Sequence, residues 1–433
     1  MNRHRIVCLS ILLVSCLIFP SWAFSHGWAG YEQGAKAHGM GGAFTGLADD
    51  VTAIYYNPAG ITQLEGTQIS LGFSIPTVEG KFKSAGTSGM PGVSPGDETD
   101  LDRQTFFIPN FYIASKINDK LSLGFGAYTI FGLGFKWPDS FEGRFAPGGK
   151  KAELFTMTLN PVAAYQITEK LSFSLGGRIE YADLKLENKI FVAPGVDEVG
   201  SEISGDDFGY GWNAAMLYKF SESFSAGLNY RSKMKHSFDD LDVNFSPQIS
   251  TIGPIPVGLT NTKANLDVEL PQFLSLGTAW SRGPFTLTFD VYWWDWSAND
   301  ELNFQFSDPV AGQTFNTIPL SWKDTWTYAI GAEYKINAFD RDISLRGGFM
   351  YEECPIPDET VGPAGYQGDN LLYNIGLGSM IGPFYCDFFF TYVHTKDRTW
   401  NNDLGNVPGG GPISGEFSDY NTFIFGSNIT YKF

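Results

Sequence analysis

The sequence predicts an all-β chain, a fourteen-stranded antiparallel transmembrane β-barrel. Three observations lead there. The 433 residues include 50 glycines and 16% aromatics but only 18% charged residues, which suits short strands, tight turns and rings placed at an interface. Counted back by twos, the C-terminus reads Phe433, Tyr431, Ile429, Ser427, Phe425, Phe423, the apolar face of a closing barrel strand that ends on an aromatic ring. Short and long connections alternate along the chain, as periplasmic turns and outer loops do.

From the N-terminus, residues 1–23 read as a secretory signal peptide. Arg3 and Arg5 precede an apolar run from Ile6 to Phe19, and Ser21-Trp22-Ala23 supplies small residues for cleavage after 23, or after Ser25. Leu13-Val14-Ser15-Cys16 has the form of a lipidation box, but Leu17-Ile18-Phe19 follows where a polar tether belongs. The net charge of −18 excludes an electrostatic attraction to nucleic acid. No later run of 18 apolar residues offers a membrane helix. Next comes DDVTAIYYNPAGI, Asp49 to Ile61, with neither strand alternation nor a helical stripe. Gly39, Gly41, Gly42 and Gly46 lead into it.

Short turns fall at Asn118-Asp119, Thr168-Glu169, Ser221-Glu222, Arg282-Gly283-Pro284, Ala338 to Arg341 and Gly382-Pro383. Long Gly- and Pro-rich stretches, polar except for 239–262, fall at 78–104, 131–151, 188–203, 239–262, 305–320, 354–369 and 396–418. Strands are therefore expected near 67–77, 105–116, 120–130, 152–167, 170–187, 204–220, 223–238, 263–281, 285–304, 321–337, 342–353, 370–381, 384–395 and 419–433. An even count puts both ends on the periplasmic side. Parity then turns Phe285, Leu287, Phe289, Leu175, Ile179, Trp326, Tyr328 and Ile330 to lipid. Arg178, Glu180, Arg231, Asp290, Lys323, Glu333, Arg346 and Asp387 turn to the lumen. Cys354 and Cys386 lie at opposite ends of their strands, roughly 25 Å apart across an apolar band of that height, so both should be free thiols.

No HExxH, GxSxG or CxxC pattern is present, and the histidine spacing fits no metal site. His236 with Asp239 and Asp240 is the nearest approach to an acid–base constellation. The positive signal is aromatic. Tyr292, Trp294 and Trp296 share one inward face. The stretch 239–262 is unusually apolar, which fits either a surface groove for an apolar ligand or a loop packed on its neighbours. Gly124 and Gly126 sit inside the third strand, where glycine marks a bend or the close approach of another backbone.

AGYEQGAKAHGMGGAFTGLADD (29–50), NPAG (57–60), GDDFGYGWNAAMLYKF with GLNYRSKMKHSF (205–238), LPQF (270–273), WKDTWTYAIGAEY (322–334) and CPIPDE (354–359) together resemble the outer-membrane hydrophobic-compound channels of the FadL family. The resemblance implies an N-terminal plug, residues 24–66, inside a barrel of residues 67–433. It implies passive uptake of long-chain fatty acids or aromatic hydrocarbons, with lateral release beside a kinked third strand and no cofactor. Carried over by position, Lys323 would hold a fatty-acid carboxylate, with Lys189 standing in for the family's arginine, and a point charge does not replace a bidentate fork. Tyr31 would reach toward ligand, Gly124 and Gly126 would make the kink, and Asn57-Pro58-Ala59 would line the lateral exit. The expected partners are a hydrophobic substrate, outer-membrane lipid and lipopolysaccharide, and the barrel-assembly machinery through Phe433, with the chain a monomer. The rivals are a non-transport surface barrel, such as an adhesin, and an outer-membrane hydrolase.

Overall fold

The computed structural model describes residues 33–90, 92–192, 196–365, 368–406 and 411–433. The signal peptide, its cleavage site and Tyr31 lie outside them. Among the described residues, fourteen antiparallel strands form the wall. They are β1 (Thr67–Ser84), β2 (Ile108–Lys116), β3 (Leu121–Tyr128), β4 (Lys151–Gln166), β5 (Leu171–Ile190), β6 (Val199–Lys219) and β7 (Phe224–Arg231). The rest are β8 (Phe273–Arg282), β9 (Phe285–Trp294), β10 (Thr325–Ala338), β11 (Arg341–Glu352), β12 (Asn370–Ile381), β13 (Phe384–Thr395) and β14 (Pro412–Lys432). Each pairs with the next, and β1 pairs with β14 from Gln68↔Lys432 to Ser84↔Gly415, so no edge is left along that closure.

The six short turns stand where the alternation places them. Phe339 and Asp340 both take positive φ between Ala338 and Arg341, the geometry a two-residue hairpin turn needs to match strand twist. Parity also holds. On β9, Phe285, Leu287 and Phe289 are about half exposed while Thr286, Thr288, Asp290, Tyr292 and Trp294 are buried. An exposed apolar row over mid-wall is what lipid requires. Neither Cys354 nor Cys386 forms a disulfide among the described residues.

The outer half departs from the expected loop boundaries. The β1, β5 and β6 ladders continue past 78, 188 and 203. Strands β7 and β8 instead break together, at Ser232-Lys233 and at Pro271-Gln272. They resume as Met234–Ser246 and Thr262–Leu270, paired to each other. Pro271 has no N–H to keep the ladder going. The β6–β7 ladder is consequently interrupted between Arg231↔Asn213 and Asp242↔Ser204. The apolar stretch 239–262 is no open groove. Leu241, Val243, Phe245 and Leu259 are buried against neighbouring segments, and Ile255 projects.

Residues 33–64 fill the lumen. Helix α1 (Ala35–Gly39), helix α2 (Ala53–Tyr56) and a 3-10 helix (Pro58–Gln63) are short because glycines and Pro58 interrupt them. The Asn57 side chain caps the last by accepting from the Ala59 N–H (3.1 Å), with Pro58 at the first helical position. The segment 39–46 lies main chain against main chain on the wall. A Cβ on Gly331 would fall 2.3 Å from the Met40 carbonyl oxygen, and one on Gly348 would fall 2.1 Å from the Gly41 nitrogen. Only glycine permits that approach.

Candidate functional site: the broken wall and the ring column

Between the pairs Tyr128↔Thr158 and Gly132↔Phe155, the third strand advances four residues while β4 advances three. That extra residue is a bulge, and a bulge bends its strand. Beyond it, Gly132–Lys136 pairs only with β4. The β2–β3 ladder therefore stops at Phe111↔Ala127. It is rejoined only at the rim, where the Asp102 N–H donates to the Lys136 carbonyl (2.9 Å). In between, Ile108–Asn110 bond to β1 but have no strand on their other side. Asn110 Nδ2 and Thr129 Oγ1 at the margins have no hydrogen-bond partner.

The plug closes this break. Gln33 Nε2 donates to the Thr129 carbonyl (2.8 Å), and the Tyr112 hydroxyl donates to Gln33 Oε1 (2.9 Å). The Tyr56 hydroxyl donates to the Gln33 carbonyl (2.7 Å). One glutamine so satisfies a carbonyl that the bulge would otherwise orphan. Gly124 and Gly126 do not make the kink, since β3 runs straight through them. They leave room for Ile54 and Ile61, whose side chains would lie about 3 Å from an added Cβ.

The opposite face of the plug is held by polar groups. Asp290 Oδ2 accepts from the Phe44 N–H (2.8 Å) and the Thr45 N–H (2.7 Å), while on the side of the break Asn428 Oδ1 accepts from the Ala35 N–H (2.8 Å) and its Nδ2 donates to Asn110 Oδ1 (2.9 Å). Nearby, Arg346 is paired with Glu333 and Asp387, so the inward charges of β10, β11 and β13 neutralise one another. The 3-10 helix that begins at Pro58 packs on several wall strands, the third among them, and Asn57 and Ala59 at its start reach β6. Asn57 Nδ2 donates to the Met216 carbonyl of β6 (2.9 Å), and Ala59 packs with Ala215 and Leu217. The plug residues facing the break are Gln33, Ile54, Tyr56 and Ile61.

Tyr292, Trp294 and Trp296 are buried on the inward face, and they belong to a longer column of rings. Phe273 lies 4.5 Å from Trp294, Trp294 lies 6.0 Å from Trp296, and Trp296 lies 5.2 Å from Trp322. Phe131, within the bent segment, touches Trp294 (6.0 Å) and Trp296 (6.2 Å). At the outer end Trp322 joins a cavity of about 110 Å³ lined by Leu154, Leu266, Val268, Leu270 and Leu320, with His236 as its titratable group. A dry apolar cavity of roughly 150 Å³ takes benzene, so this one has the scale of a single ring or a short stretch of alkyl chain. His236 faces Glu180 and Asp207, not Asp239 and Asp240.

The two lysines expected at a carboxylate site do not converge. Strand β10 starts at Thr325, so parity does not reach Lys323, which is exposed. Asp358, the carboxylate nearest in character to a partner for it, is engaged by Arg398 at 2.7 Å, whose hydrogen bond holds that carboxyl below its usual pKa. Lys189 lines a separate polar groove with Glu187, Glu202 and Asn244. Gln33, Phe131, Phe273 and the packing of Arg231 were missed from sequence. Arg231 was read only as inward-facing.

A closed barrel with lipid-facing rows, a lumen filled by its own N-terminal segment and one wall break closed by that segment defines a plugged outer-membrane transport barrel. The chain belongs to the family described as Outer membrane protein transport protein (OMPP1/FadL/TodX), whose profile matches residues 20–433. It is an outer-membrane, multi-pass transport barrel and not an enzyme. The Long-chain fatty acid transport protein of an Escherichia coli strain is 25% identical over 468 residues, spanning 100% of both chains. Outer membrane protein P1 of Haemophilus influenzae is 27% identical over 358 residues, 73% of this chain and 75% of that one. The crystal structure of a Pseudomonas aeruginosa FadL homologue superposes with a TM-score of 0.78 at 18% identity, covering 94% of this chain and 100% of that one. The Ralstonia pickettii toluene transporter TbuX gives 0.67 at 19% identity, covering 92% and 98%. At such identities the two structures speak for the fold.

Proposed function

We propose that the chain takes up hydrophobic molecules, long-chain fatty acids or aromatic hydrocarbons, by passive diffusion from the outer surface. It releases them sideways into the membrane through the β2–β3 break. The observation that carries this reading is the interrupted ladder, with an apolar ring column on one side and a removable plug in the opening. Lateral exit spares an apolar molecule a passage through water. The outer cavity offers a first resting place, and the rings of Trp322, Trp296, Trp294 and Phe131 offer successive apolar contacts toward the break. The rings fill that route at rest, so each step displaces a side chain.

In this reading the domains are a signal peptide over 1–23, a plug over 24–66 and a barrel over 67–433. The barrel works as a monomer among outer-membrane lipid and lipopolysaccharide, and Phe433 presents the terminal ring to the barrel-assembly machinery. The test is uptake of labelled oleate and of toluene by a strain lacking the protein, with and without the gene restored. Restoration should raise uptake of at least one of them. Equal uptake of both in the two strains overturns the reading.

A further inference from the structure

Arg231 ends β7 at the point where the wall strand breaks, and it is buried. One of its amino groups donates to the carbonyl of plug residue Tyr55. Its guanidinium lies between two rings, 4.1 Å from the centroid of Tyr55 and 4.9 Å from that of Phe273. Among the described residues its Nε and Nη1 have no hydrogen-bond partner and no carboxylate forms an ion pair with it. A second buried guanidinium, Arg178 on β5, is close enough to repel it. Arg178 donates to the Ser232 carbonyl and leaves its own Nε without a partner. Glu180, which bears on Arg178, has its oxygens taken by Thr158 and His236.

The same lumen shows what a satisfied arginine looks like. Arg346 has two carboxylates and a tyrosine hydroxyl. Arg231 has a carbonyl and two ring faces. Ring faces and a carbonyl attract a buried cation but do not cancel its charge. The planar fork of a guanidinium matches a carboxylate through two parallel hydrogen bonds, and here two of its donors stand idle.

We infer that Arg231 receives the carboxylate of an anionic amphiphile, and that the Tyr55 carbonyl holds that place while the plug is at rest. This rests on the transport reading and narrows its substrate to a fatty acid. The head group displaces the Tyr55 carbonyl, while the alkyl chain lies along Phe273, which adjoins the arginine, and Trp294 beyond it. Tyr55 stands between Ile54 and Tyr56, two residues that help close the β2–β3 break. Taking up the head group therefore loosens the closure of the exit. Lys323, which is exposed, has no part in it.

The experiment uses the full-length chain in nonionic detergent and compares binding of labelled oleate with that of its methyl ester. Arg231→Met should weaken oleate by about tenfold to a hundredfold, the worth of a charged hydrogen bond, and leave the ester within about twofold. Heat-modifiable gel migration checks that the barrel is intact. Tyr55→Ala carries the test if Arg231→Met fails to fold. Removing the ring that holds the rival carbonyl in place should tighten oleate selectively. Loss of both ligands alike in the arginine variant, unchanged oleate binding in it, or weaker oleate binding after Tyr55→Ala overturns the inference alone. A wild-type chain that binds neither ligand overturns the transport reading as well.

Discussion

Two of the breaks in the wall are closed differently. Between β6 and β7 the ladder lapses from Asn213 to Ser204, but the wall bridges its own gap. The Trp212 N–H donates to Ser232 Oγ (3.0 Å), and the Ser237 N–H donates to Asp207 Oδ2 (3.0 Å). Met234 and His236 stand behind Gly209 and Gly211. Between β2 and β3 the wall joins itself again at the rim, through Asp102 and Lys136, and below that Gln33 of the plug makes the contact with Thr129. A lapse in a ladder is thus not in itself an exit. In the transport reading proposed above, it becomes one where the groups that close it belong to the plug.

Four experiments can break or sharpen that contrast. The largest effect should come from fixing the plug to the bent strand. Gln33→Cys with Thr129→Cys, both native cysteines replaced and a short thiol-specific linker added, should reduce uptake to background while the barrel stays folded. Uptake that survives the linker would move the exit elsewhere. Next, Gln33→Ala removes two buried hydrogen bonds from the closure, those with the Thr129 carbonyl and the Tyr112 hydroxyl, together worth about 2 kcal/mol. Initial uptake should rise by up to about thirtyfold, the population shift that energy allows, and a rate equal to wild type would deny Gln33 its closing role. At the other break, Asp207→Ala leaves the Ser237 N–H without its acceptor. It should cost about 1–3 kcal/mol in denaturant stability with uptake unchanged, whereas altered uptake would make this break a second exit. Smallest of all, Lys323→Ala should change fatty-acid affinity by less than about 0.5 kcal/mol, as for an exposed charge. A larger loss would bring that lysine back to the binding site.

The strand count was legible because a wall strand must alternate and a turn must interrupt it, and both leave marks in a single stretch of chain. The ring triplet Tyr292, Trp294 and Trp296 was legible for the same reason. The kink was not. A bulge is one residue too many relative to a neighbour, and only the pairing of Tyr128 with Thr158 and Gly132 with Phe155 exposes it. Glycines 124 and 126 drew attention because glycine is visible in sequence, while the bulge has no residue type of its own. Lys323 was misplaced because parity was extended two residues before the strand begins. The plug was legible only as irregularity. Which face of it meets which strand depends on contacts such as Asn57 with Met216, between residues far apart in sequence.

The glycine contacts between segment 39–46 and the wall have a consequence for exchange between relatives. Gly39 meets Gly376, Gly41 meets Gly348, and Gly331 and Gly227 meet the carbonyls of Met40 and Thr45. Such contacts carry no side-chain code, so beyond Asp290, Tyr292 and His38 there is little on this flank for diverging sequences to mismatch. A plug transplanted from a distant member of the family should seat there as long as both sets of glycines are kept. Compatibility would then be decided on the other flank, where Gln33, Ile54 and Tyr55 meet the bent strand and Arg231. On one side the plug is a generic part, and on the other it is fitted to its own barrel.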